Sequence, residues 1–81
     1  MSRTLNSPRH EALTRFLIDK RKRAGLTQTE LAVKLGRYQS FVATVESGQR
    51  RIDVIELLDF ADAIGFDARE AIKMLRSIRA K

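Results

Sequence analysis

The chain has 81 residues, 43% of them hydrophobic, with four Gly and one Pro, which suits one small domain and leaves too little polymer for two cores. Lacking cysteine, it is excluded from disulfides, thiolate nucleophiles and thiolate metal sites, and its single histidine, His10, cannot form a multi-histidine site. A net charge of +6 and a pI near 10.5 favour polyanionic partners, nucleic acid or an acidic membrane surface, while no apolar run approaches the ~20 residues of a membrane span.

Residues 1–7 read as an N-terminal arm, and the opening MSRTLNSPRH has neither the apolar stretch nor the cleavage site of a secretory signal. Ser7-Pro8 then places a hydroxyl at a helix N-cap and proline at the first helical position, where its missing N–H costs little. The first helix is predicted over 8–24, with Leu13, Phe16 and Leu17 turned inward. His10 has no evident partner and is expected on the surface of the first turn. The run Lys20-Arg21-Lys22-Arg23 near the helix end is expected to divide its roles, Arg21 structural and the others solvated or near phosphate.

Thr27 with Glu30 has the spacing of a capping box and opens a helix predicted over 28–35, with Leu31, Ala32 and Leu35 inward. The third helix is predicted over 38–46, with Phe41, Val42 and Val45 clustered on one side. Its other side presents Gln39, Ser40, Ala43 and Thr44, and between Tyr38 and Glu46 there is no Lys, Arg or Asp. Asp53 with Glu56 opens a helix over 54–64, and Asp67 with Glu70 one over 68–79. Gly25, Gly36, Gly48 and Gly65 all fall where a helix should end. No segment alternates as a strand, and there is no repeat. Residues 8–79 are thus expected to form one all-α, five-helix domain.

The apolar residues of the fourth helix, Val54, Ile55, Leu57, Leu58, Phe60, Ala61 and Ile64, span roughly 220° of arc, where one core contact needs only ~100°. It is expected to pack on two sides, against the core and against the fifth helix or a second subunit. The fifth helix sets Ala71, Ile72, Met74, Leu75 and Ile78 opposite Arg69, Lys73 and Arg76. Its apolar side can close the core or dimerise, and its basic side can meet phosphate or, less in keeping with the rest, a membrane surface.

The pattern Leu26-Thr27-Gln28-x-Glu30-Leu31-Ala32-x-x-Leu35-Gly36, then Ser40-x-Val42 and Glu46-x-Gly48, resembles the Xre family, the lambda-repressor and Cro-like helix-turn-helix DNA-binding domains. The likeness covers about residues 9–65, including Ala61-x-Ala63-Ile64-Gly65. It implies a five-helix lambda-repressor-like domain whose third helix enters the DNA major groove. By position it implies base contacts from Gln39, Ser40 and Thr44, a phosphate contact from Gln28, and a structural pair of Arg21 with Glu46. Tyr38 departs from the family's small polar cap, and tyrosine is a poor N-cap, so the helix start can shift by one residue.

The charge-free face fits that role, because a groove roughly 12 Å wide admits a helix deeply only behind short side chains. Arg37, Tyr38, Arg50 and Arg51 fall at its margins, where phosphates lie. Asp53 and Glu56 are explained by capping, and Asp59 and Asp62 by a solvated face directed away from DNA. The expected function is a sequence-specific transcriptional regulator, a repressor on a palindromic double-stranded operator, acting as a homodimer in the cytoplasm. No cofactor, metal, membrane or small-molecule ligand is expected, and no nucleophile, base and electrophile stand at a plausible spacing for an enzyme. The same fold also admits an antitoxin, a restriction–modification controller or a protein-interaction adaptor.

Overall fold

A computed structural model describes residues 7–79, so the arm expected over 1–7 lies, apart from Ser7, outside the described residues. Five helices follow one another: α1 (Pro8–Arg23), α2 (Gln28–Leu35), α3 (Gln39–Glu46), α4 (Val54–Ile64) and α5 (Ala68–Arg76), with no strand among the described residues. Three caps form as the sequence predicts. The Ser7 hydroxyl accepts from the His10 N–H at 3.1 Å, and Thr27/Glu30 and Asp53/Glu56 each close both bonds of a capping box. Each such cap contributes ~1 kcal/mol.

Other expectations are corrected. The carboxylate of Asp67 accepts from the Arg69 N–H rather than from Glu70, whose side chain pairs instead with Lys20 across the α1–α5 contact at 2.9 Å. α5 stops at Arg76 rather than residue 79, where the Ser77 hydroxyl donates to the Met74 carbonyl and turns the chain. α3 begins at Gln39, with Tyr38 as an N-cap in extended conformation that makes no side-chain bond.

One core joins all five helices. Leu17 of α1, Leu31 and Ala32 of α2, Val42 and Val45 of α3, Leu57 and Phe60 of α4 and Ala71 of α5 are buried together. Full burial of a Leu, Val or Phe side chain contributes roughly 1.5–3 kcal/mol, and these contacts position α2 and α3 against α1 and α4. Phe66 and Phe16 meet edge to face at 5.2 Å and seat α5 on α1.

Three residues, Gly36-Arg37-Tyr38, turn α2 into α3. Gly36 adopts φ +69°, and the Arg37 N–H reaches back to the Ala32 carbonyl at 3.0 Å, which ends α2 sharply. A Cβ at Gly36 would meet nothing within 4 Å, so the demand for glycine there is conformational rather than steric.

The wide apolar arc of α4 divides as expected only on its inner side. Leu57, Phe60 and Ala61 are buried, whereas Val54 and Ile55 remain 67% and 66% exposed, with Leu58 exposed beside them. α5 packs on α4, yet these three stay exposed, as does its own Ile72.

Candidate nucleic-acid interface

The sequence of α3 sorts its side chains around the helix. At roughly 100° per residue, Gln39, Ala43, Ser40 and Thr44 share one arc, and Phe41, Val45, Val42 and Glu46 the other. Val42 and Val45 are buried, Phe41 is half-buried, and Gln39 and Ser40 are exposed. The outward arc is therefore short-chained, exposed at Gln39 and Ser40 and half-buried at Ala43 and Thr44. Thr44 gives its hydroxyl proton to the Ser40 carbonyl at 2.7 Å, so its hydroxyl oxygen is left as an acceptor.

One flank of this arc is a hydrogen-bonded chain. Glu46, at the end of α3, accepts from Arg21 twice, Nε to Oε2 at 2.6 Å and Nη2 to Oε1 at 2.9 Å. Both side chains are buried, and Arg21 also donates Nη1 to the Leu26 carbonyl at 2.8 Å, which ties α1 to the start of the motif. The carboxylate bond raises the Arg21 pKa further above its ordinary value, against the opposing effect of burial. Glu46 Oε1 takes a further bond from Gln28 Nε2 at 2.9 Å, and Gln28 Oε1 takes one from Gln39 Nε2 at 2.7 Å.

The order of that chain is dictated by its buried end. An ionised carboxylate only accepts, so Gln28 must turn its NH₂ to Glu46 and its oxygen to Gln39. Gln39 must then offer its own NH₂ to Gln28. Its amide oxygen and second N–H are left for the outside, in a fixed order. Gln28, assigned to phosphate by the resemblance, thus holds a half-buried place between the ion pair and the leading residue of α3.

The other flank is cationic. Arg37 lies 3.7 Å from the Phe41 ring centroid and Arg50 4.9 Å from it. Both guanidiniums reach Glu56: Arg50 donates Nη1 to Oε1 at 3.0 Å and Nη2 to Oε2 at 2.9 Å, and Arg37 donates Nη1 to Oε2 at 3.5 Å. The Arg50 bonds, with help from the Asp53 N–H and Arg37 and against burial, hold the Glu56 carboxyl down to about 2. Arg51 is exposed beside them, its carbonyl accepting from Arg50 Nη1 at 2.8 Å. Tyr38 is among the most exposed large side chains.

His10 reverses its expectation. It is only 7% exposed, and its Nε2 bonds the Gly48 carbonyl at 2.9 Å, pinning α1 to the turn that follows α3. The missed signal was spacing, because positions 10, 13, 17 and 21 fall on one helical face. Gln49 is exposed, and its N–H caps the Thr44 carbonyl at 3.2 Å. Among the described residues no group of three or more His, Cys, Asp or Glu could hold a metal ion, and no helix is long and apolar enough to cross a membrane.

Residues 12–72 match the family model described as a helix-turn-helix domain. Among solved structures, an XRE-family like protein from Pseudomonas syringae pv. tomato is 46% identical, with a TM-score of 0.80 over 85% of this chain and 84% of that one. The restriction–modification controller protein C.AhdI from Aeromonas hydrophila is 32% identical, with a TM-score of 0.71 over 76% of this chain and 90% of its own. The controller C.Esp1396I, solved as a tetramer with its natural 35 base-pair operator, shares the fold at 18% identity, with a TM-score of 0.77 over 88% and 93% of the two chains. No curated protein matches the sequence. The five-helix order, the glycine turn between α2 and α3 and these likenesses agree: the chain belongs to the Xre family of helix-turn-helix domains.

Proposed function

We propose that the chain is a sequence-specific transcriptional regulator that represses by occupying a palindromic operator as a homodimer, with α3 in the major groove. The observation that carries this reading is the ordered amide of Gln39 at the leading end of a charge-free, exposed helical face. Adenine offers N6–H as donor beside N7 as acceptor, the complement of an amide oxygen beside an N–H. Gln39 is assigned to that base edge, Ser40 to a neighbouring edge, and Thr44 to a thymine methyl. Arg37, Tyr38, Arg50 and Arg51 border this face and are assigned to phosphates. Gln28 is assigned an indirect share in base reading, with its phosphate contact secondary.

The exposed Val54, Ile55 and Leu58 on α4, with Ile72 on α5, form the surface assigned to the second copy. Two-fold pairing there would set the two α3 helices about 34 Å apart, one DNA turn. The reading places the protein in the cytoplasm and gives it no catalytic step. The 32% identity to C.AhdI favours, as a second reading, a restriction–modification controller working through the same surface.

Selection of preferred sites from random duplex DNA tests the proposal. A palindrome with half-sites one turn apart is the expected result, and Gln39→Ala should lose discrimination at one base pair per half-site, by ~1–3 kcal/mol. Uniform weakening on every sequence would remove Gln39 from base readout. Binding that is weak and barely salt-dependent would instead favour an adaptor.

A further inference from the structure

Glu56 does more than cap α4. Its Oε1 is tied to the Asp53 N–H at 2.9 Å, so the carboxylate is fixed to its own helix end and cannot follow a moving partner. Against it lie the two guanidiniums nearest the ends of α3, Arg37 two residues before the helix and Arg50 four residues after it. The fork-to-carboxylate geometry of Arg50 is the one a guanidinium uses on a phosphate. Both arginine side chains are nevertheless about two-fifths exposed, at 41% and 40%, so they stay open to the solvent side while Glu56 holds them. The aromatic ring of Phe41, a residue of α3 itself, holds both in register with the recognition helix.

We propose that Glu56 is a specificity-determining residue, an internal stand-in for DNA phosphate that withholds Arg37 and Arg50 from duplexes that α3 does not fit. The proposal rests on the assignment of α3 to the major groove. A duplex gripped loosely by its backbone must displace a carboxylate already in place. A site that seats α3 deeply presents phosphates at both ends of the helix together, and there the exchange succeeds. Glu56 therefore weakens random binding more than cognate binding and widens the gap between them.

The test compares random duplex DNA with the duplex selected by the wild-type chain, each titrated between low and moderate salt. Glu56→Gln keeps the capping geometry, since glutamine serves at that position, but removes the charge. It should bind random DNA about tenfold more tightly at low salt, with a slope steeper by about two units, one for each arginine released. Affinity and slope on the selected duplex should change less, so the ratio falls. Asp62→Asn, which removes an exposed acid elsewhere on α4, should move neither slope.

Arg37→Ala gives the converse reading with Glu56 kept in place and still forked by Arg50: a loss on the selected duplex, with random binding unchanged. Equal gains on both DNAs from Glu56→Gln, or equal losses from Arg37→Ala, would overturn the proposal. A wild-type chain with no preferred site would overturn the DNA assignment of α3 as well. A preferred site whose advantage survives Glu56→Gln undiminished would remove the Glu56 role alone.

Discussion

The two flanks of α3 are built around one carboxylate each, and the two carboxylates do opposite work. Glu46 is buried against a single arginine, and what it passes outward is an order of donors and acceptors through two neutral amides. Glu56 lies nearer the surface against two arginines, and what it controls is charge. The difference follows from depth. A buried ion pair is costly to leave half-made and so stays fixed, whereas an exposed pair is worth little and can be exchanged for another anion. One side of the helix is thus suited to reading base edges and the other to metering attraction to the backbone.

The sharpest way to break this contrast is Arg21→Ala. It strands a buried carboxylate and should cost ~3–5 kcal/mol, a large share of the stability of a domain this small, read as the midpoint of urea unfolding. Arg37→Ala, on the other flank, should cost under ~1 kcal/mol. Equal losses would mean that the flanks do not differ in kind. Replacing both partners, as in Arg21→Met with Glu46→Leu, should restore much of the stability but leave Gln28 without the acceptor that orders it. Stability would then recover while discrimination at the Gln39 base pair does not.

The Arg21–Glu46 partnership is legible in the sequence because it comes with the family likeness, and the capping boxes at Thr27 and Asp53 because their partners lie three residues away. Other contacts between distant residues are not. Glu56 meets Arg37 across nineteen residues, and cap spacing alone explained it well enough to hide a second role. Glu70 shows the opposite failure: cap spacing was present, but Lys20, fifty residues away, took the side chain. His10 defeats the rule that a polar side chain faces water, because its position continues the inward row of Leu13, Leu17 and Arg21. Its acceptor, a backbone carbonyl at Gly48, has no sequence signature at all.

A smaller effect comes with pH. The Glu56 carboxyl is held at about 2 against an ordinary value of 4.5, so its contribution is fully present above pH ~5 and is lost as pH falls through 4.5 toward 2. The wild-type chain should be more stable than Glu56→Gln by about 1–2 kcal/mol at neutral pH, since solvent screens both two-fifths-exposed arginines, with the two unfolding curves converging near pH 2. Part of the acid loss should persist in the variant, because the Arg69 side chain also holds Asp67 below its usual range. A gap independent of pH would mean that Glu56 acts through packing rather than charge.

Between the flanks, at the leading end of α3, the molecule forgoes a stabilising feature. Tyr38 has the extended backbone of an N-cap, φ −77° and ψ 153°, and its side chain makes no cap bond. Serine in that geometry would satisfy an amide at the start of α3 and should add ~1 kcal/mol, raising the melting temperature by about 4–8 °C. Serine is the informative choice, since aspartate would add a negative charge where phosphates are assigned. If the exposed tyrosine serves binding, Tyr38→Ser should be the more stable protein and the weaker DNA binder, with the loss shared by all sequences because a phosphate contact carries no base information. Greater stability with undiminished binding would leave Tyr38 as a surface side chain and return the margin of the groove to the arginines alone.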